Sequence, residues 1–124
     1  MRKLFAAGLL IFCSSAHAEG PITKQLLLMD EATRLSAWTR YMKASNEMCD
    51  KATRAMFQGG SDQAQQDSWS VGCADGNEYS IGLGYDPHDR AKILTCKELV
   101  AVDAMLMKRA GKQPNKNVGC WVKY

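Results

Sequence analysis

The cysteines constrain this chain most. Five occur, at positions 13, 49, 73, 96 and 120. Cys13 lies in the opening stretch MRKLFAAGLLIFCSSAHAEG, which has the layout of a secretory leader. Arg2 and Lys3 form a positive start, Leu4 to Phe12 an apolar run, and Ala16-His17-Ala18 a small-x-small cleavage site. Cleavage after Ala18 is expected, leaving residues 19–124 as a single small domain. The apolar run falls short of the roughly 20 residues that cross a bilayer, so it reads as a leader rather than an anchor. No later run is long enough either, and no integral membrane span is expected. Phe12 argues against lipidation of Cys13, which wants a small residue before it.

Cys49, Cys73, Cys96 and Cys120 remain. An even number in an exported chain of this size reads as two disulfides. No two are close enough for a redox C-x-x-C pair. Zinc sites usually draw ligands in close pairs, and these are singletons. A nucleophilic thiol needs a base, and His88 is the one histidine after the leader. Three pairings are open. Cys49–Cys73 with Cys96–Cys120 is preferred, because it ties a helix to a sheet and the last helix to the last strand. The rival is Cys49–Cys120 with Cys73–Cys96. On the loop-entropy view, a staple closing a loop of this length stabilises by about 3 kcal/mol.

Residues 22–58 contain no Gly and no Pro. Leu28, Leu35, Met42, Cys49 and Met56 recur at sevenfold spacing, with Trp38, Ser45 and Ala52 each three residues after a member of that row. The pattern predicts one long amphipathic helix, opening near Pro21 or at an Asp30 cap and ended by Gly59-Gly60. The same row admits a coiled coil, although Ser45 and Cys49 are poor seam residues. Residues 59–67, GGSDQAQQD, read as a loop. Trp69, Val71 and Cys73 alternate before Asp75-Gly76, and Tyr79, Ile81 and Leu83 after it, which predicts a β-hairpin. Gly84 to Arg90 reads as a turn. A third strand is expected over 91–95. Thr95 and Glu98 form a capping box that opens a helix to about Ala110, with Leu99, Val102, Met105 and Leu106 on its apolar side. Val118 to Tyr124 is expected as a final strand. The order implies an α+β fold: a long N-terminal helix packed on a small antiparallel sheet of three strands, then a second helix and a final strand, stapled by two disulfides.

Functional groups are sparse. Once Arg2 and Lys3 leave with the leader, 14 of the 16 basic residues face 13 acidic ones, a net charge of +1. Neither nucleic acid nor an anionic membrane surface is expected as partner. Asp86, His88 and Asp89 cluster, but turns carry Asp for backbone reasons, and no metal site is expected there. Ser68, Ser70 and Ser80 sit on strand faces without triad signals. Gly82-Leu83-Gly84 precedes no helix, so it is not a phosphate loop, and no cofactor is expected. Trp121, Tyr85 and Tyr124 are the candidate interface aromatics.

The pattern Gly72-Cys73-x-Asp75-Gly76-x-x-Tyr79-x-Ile81, then Leu94-x-Cys96-x-x-Leu99, then Cys120-Trp121, resembles small exported bacterial proteins. That resemblance brings no particular activity with it. The expected function is a non-catalytic periplasmic or secreted protein-binding module: an inhibitor, an immunity-type protein or an accessory subunit of an envelope system. Its partner would be another envelope or secreted protein. Two alternatives stand beside it. One is an enzyme acting on cell-wall material through carboxylates around Asp75, Glu78 and Asp86. The other is an assembly protein oligomerising through its first helix.

Overall fold

The computed structural model describes residues 19–86, 88–114 and 118–121. The elements are α1 (Pro21–Leu28), α2 (Glu31–Ala44), β1 (Ala52–Ser61), β2 (Gln66–Cys73), β3 (Glu78–Gly84), β4 (Lys92–Thr95) and α3 (Cys96–Arg109). The strands form one antiparallel sheet in sequential order, β1-β2-β3-β4. The α+β class therefore holds, while the arrangement of its parts differs from the sequence reading in two places.

The long N-terminal helix is not there. Both of its candidate starts are used, so it becomes two helices. Pro21 occupies the first turn of α1, where its missing N–H costs nothing. Asp30 then caps α2, its Oδ1 accepting the Thr33 N–H at 2.7 Å. Arg34 closes the break by donating to the Leu26 and Met29 carbonyls at 2.8 and 2.7 Å, which satisfies the end of α1. α2 stops where Asn46 turns left-handed at φ 60°, a conformation Asn tolerates better than most residues. The segment that should have continued the helix is β1 instead. The sevenfold row is thus a coincidence of spacing: Leu28 is exposed, Leu35 and Met42 lie on α2, Cys49 lies in a loop and Met56 in a strand. Gly59-Gly60 bends β1 at a bulge rather than ending a helix.

The second correction is the final strand. Val118 to Trp121 has turn geometry and joins no strand; residues 122–124 lie outside the described residues. β1 takes the fourth place in the sheet.

The sheet has two dissimilar faces. On the inner face Ala52, Ala55 and Phe57 of β1 pair with Cys73, Val71 and Trp69, which pair in turn with Tyr79 and Ile81, and then with Thr95 and Ile93. Trp38 and Met42 of α2 and Leu26 of α1 complete this core. Phe57, Trp69 and Trp38 make successive ring contacts, their centroids 5.2 and 5.5 Å apart, and Tyr41 meets Trp38 edge-on at 5.6 Å. The outer face is small and polar, with Ser68, Ser70, Gly72, Ser80 and Gly82. The C-terminal segment crosses it. The Cys120 carbonyl accepts from Ser70 Oγ and from Gln58 Nε2. Cys49 bonds to Cys73 and Cys96 to Cys120, with Cα atoms 5.4 and 5.6 Å apart. The first pair joins the α2–β1 loop to the end of β2. The second ties that crossing segment to the start of α3.

Candidate functional site

Trp121 lies on the outer face, within a stack internal to the molecule. The Arg54 guanidinium carbon is 3.7 Å from its ring centroid, and its Nε1 donates to Glu78 Oε2 at 2.7 Å. Gly72 lies beneath it: a Cβ there would come within 3.1 Å of the indole. The ring is half-buried by these contacts. Tyr85 is half-buried beside Asp67 and Asp62. Burial first, and then those two carboxylates, hold its hydroxyl above the ordinary tyrosine range. Tyr124 lies outside the described residues.

Asp86, His88 and Asp89 form an ordinary turn. Asp86 Oδ1 accepts the His88 N–H at 2.9 Å and its carbonyl accepts the Asp89 N–H at 3.0 Å. His88 is exposed. Among the described residues no three His, Cys, Asp or Glu side chains gather as metal ligands would. The carboxylates named for cell-wall chemistry do not converge. Asp75 and Glu78 flank the β2–β3 turn, Asp86 follows the far end of β3, and the whole strand lies between. At about 3.3 Å per residue the strand holds its two ends, Glu78 and Gly84, about 20 Å apart.

Three features went unread in the sequence. The first is the face of α3. None of its residues is buried, and Val100, Val102, Met105 and Leu106 are 47, 38, 48 and 52 % exposed. Three of these, with the half-buried Leu99, make up the apolar side that the sequence predicts. The capping box forms as expected, with Thr95 Oγ1 accepting from Glu98 N and Glu98 Oε1 from Thr95 N, both at 3.0 Å. Cys96, Leu99, Ala104 and Met107 are half-buried where the helix meets β3 and β4, while Val100, Val102, Met105 and Leu106 meet solvent. Apolar periodicity says which residues share a side, not whether anything covers it.

The second is a cavity of about 330 Å³ between α1, α2 and the β3–β4 side of the sheet. Ile22, Leu26, Trp38, Tyr41, Leu83 and Ala91 are among its walls, with Asp89 and Gln25 as polar members. Trp38 Nε1 is buried without a hydrogen-bond partner. Burial holds the Tyr41 hydroxyl above its ordinary range, partly offset by Ser45.

The third is the anchoring of α1 to β2. Asp67 and Trp69 stand two apart on the inner face and grip the first turn. Asp67 Oδ2 accepts the Gly20 N–H at 2.8 Å, and Trp69 Nε1 donates to Thr23 Oγ1 at 3.0 Å. Asp67, Trp69, Gly20 and Thr23 are all buried. The polar, Gly-rich GGSDQAQQD reads as a loop and so hides Asp67; its parity with Trp69 is the available signal.

Compared with protein families, curated proteins and solved structures, the chain gives no match. The reading of the site therefore rests on its own geometry.

Proposed function

We propose that this is an exported, non-catalytic protein-binding module, cleaved after Ala18, that docks through α3. One observation carries the reading: a 14-residue helix with no buried residue presents four large apolar side chains to solvent. Val102, Met105 and Leu106, at i, i+3 and i+4, share one side of the helix, and apolar surface gathered in this way marks interaction sites. A helix already formed by its caps and staple loses little entropy on docking. Lys108, Arg109 and Lys112 at its C-terminal end are exposed and positive. The fitting partner is another envelope or secreted protein offering an apolar groove with an acidic edge, into which the helix lies side-on. The two disulfides and the absence, among the described residues, of a helix able to cross a membrane accord with an extracytoplasmic location.

The test is photo-crosslinking in the producing cell, with a photoreactive residue at position 101, on wild-type and on Val102→Glu/Leu106→Glu backgrounds. Because Val102 and Leu106 are exposed, the double variant is expected to keep its melting temperature within a few degrees. A single adduct that disappears in the double variant, and persists with Arg40→Glu on α2, supports the reading. An adduct made only with a second copy replaces the foreign partner by self-association. An adduct indifferent to the double variant sinks it.

The cavity favours a second reading, in which a slender apolar molecule binds with a hydrogen-bond acceptor at Trp38 Nε1. Its size lies at the lower end of small-molecule pockets, roughly 300–1,000 Å³.

A further inference from the structure

Asp67 is the one Asp or Glu among the buried residues described. The residue is 1 % exposed. Oδ2 accepts the Gly20 N–H, while Oδ1 is buried with no hydrogen-bond partner. A buried carboxylate oxygen left without a donor is expensive, and a buried carboxylate is ordinarily offset by a cation. The backbone of residue 20 lies directly against this group. A Cβ on Gly20 would stand 3.2 Å from Asp67 Oδ2 and 3.0 Å from the Tyr85 ring, so this approach requires glycine. The Tyr85 hydroxyl hydrogen-bonds to the Asp67 and Asp62 carboxylates; it brings a donor but no positive charge, and Oδ1 stays without a partner.

We infer that the missing cation is the α-ammonium of Glu19, created when the leader is removed, and that its pairing with Asp67 completes the fold of the processed protein. The inference rests on the proposed cleavage after Ala18. The Glu19 nitrogen is three covalent bonds from the Gly20 nitrogen, hence within about 3.7 Å of it. The Gly20 nitrogen is itself 2.8 Å from Oδ2. Rotation within Glu19 brings a free ammonium to Oδ1. In the precursor the same nitrogen is an amide, with no charge to offer. Processing then converts a strained carboxylate into half of a buried ion pair, and α1, gripped by Asp67 and Trp69, is held in place by it. The positive group also stands before the first turn of α1, where the helix dipole disfavours it slightly. That effect is small beside a contact with a buried carboxylate.

The experiment begins with the protein exported by its own leader, whose N-terminus is read by intact mass and terminal sequencing. A terminus elsewhere than Glu19 overturns the cleavage reading and the pairing with it. Given a terminus at Glu19, the Glu19→Gln variant is prepared with its α-amino group free. Part of it is then cyclised to pyroglutamate, which releases ammonia and removes the charge while leaving the rest of the chain intact. The expected result is a fall in melting temperature on the order of 10 °C upon cyclisation. In Glu19→Gln/Asp67→Asn the same cyclisation is expected to change it by no more than about 2 °C. Equal melting of the free and cyclised forms with Asp67 present, as when a water serves Oδ1, overturns the pairing while leaving the cleavage site standing. That comparison needs no Asp67 variant, so it decides the matter even if Asp67→Asn does not fold.

Discussion

At the scale of single residues, the inner face of β2 does more than supply core. Trp69 fills the centre of the molecule, 1 % exposed and touching the Phe57 and Trp38 rings, yet it still needs an acceptor for its indole N–H. Thr23 provides it from α1. Replacing Thr23 with Val keeps the shape and removes the acceptor, which leaves a buried donor unsatisfied. The expected loss is about 1–3 kcal/mol in urea unfolding. Trp69→Phe leaves a hydroxyl that can turn to another acceptor, but it opens a void beneath α2, so its cost comes from packing. If Thr23→Val unfolds at the wild-type urea concentration, the Trp69–Thr23 bond contributes nothing. The hydrophobic half of this arrangement was legible: alternation placed Trp69, Val71 and Cys73 on one face. The polar half was not. Thr23 sits in a stretch that reads equally well as any helix start, and Asp67 sits among residues that favour turns. Long-range hydrogen bonds leave no periodic trace in a sequence.

At the scale of elements, the decisive error was one of continuity. Absence of Gly and Pro from residues 22–58 predicts one helix, yet helices also stop at capping side chains and at left-handed Asn. Asp30 and Asn46 were both visible, and Asp30 was named as a cap. Sevenfold spacing outweighed them because it extended over five members. Alternation in Ala52 to Phe57 was blurred by the irregular pairing between Ala52 and Arg54, which breaks the period of two. The Asp30 cap has a measurable signature. The Thr33 backbone N–H, and then its hydroxyl, hold the Asp30 carboxyl below its ordinary 3.8. A carboxyl whose folded value is depressed adds stability above its unfolded value, and that stability is lost as pH falls through the folded one. Asp30→Ala is therefore expected to melt below wild type at pH 7, with the gap closing as the pH is taken from about 4 downward. Asp30→Ser, which caps without charge, is expected to keep most of the neutral-pH stability. A gap between Asp30→Ala and wild type that is constant from pH 7 to pH 2 would show that the charge plays no part in holding α2.

At the scale of the whole molecule, the two staples hold different things. Cys49–Cys73 joins a loop to a strand end that is already fixed, since Ala52 pairs with Cys73 in the sheet and the Tyr79 hydroxyl donates to the Met48 carbonyl at 2.9 Å. Cys96–Cys120 instead holds a segment that has no strand partners. That segment is also bound by the pair of bonds to the Cys120 carbonyl and by the Arg54–Trp121–Glu78 stack. Both staples close loops with a sequence separation of 24, so both restrict the unfolded chain alike, by about 3 kcal/mol each. The native states should differ. Opening Cys96–Cys120 lets the C-terminal segment leave the outer face without disturbing the aromatic core beneath α2, a sub-global opening of low cost. Opening Cys49–Cys73 leaves no such detachable unit, so its effect appears as global unfolding. Hydrogen exchange separates the two cases. In Cys96→Ser/Cys120→Ser, amides of α3 and of residues 118–121 are expected to lose protection while β2 and β3 remain the slowest to exchange. In Cys49→Ala/Cys73→Ala, protection is expected to fall together across the sheet and α2. If both variants lose protection uniformly, the outer-face segment and the core form one cooperative unit. α3 would then owe its place to the whole fold rather than to its own staple, and the rigid, pre-formed helix on which docking depends would be lost with the global transition.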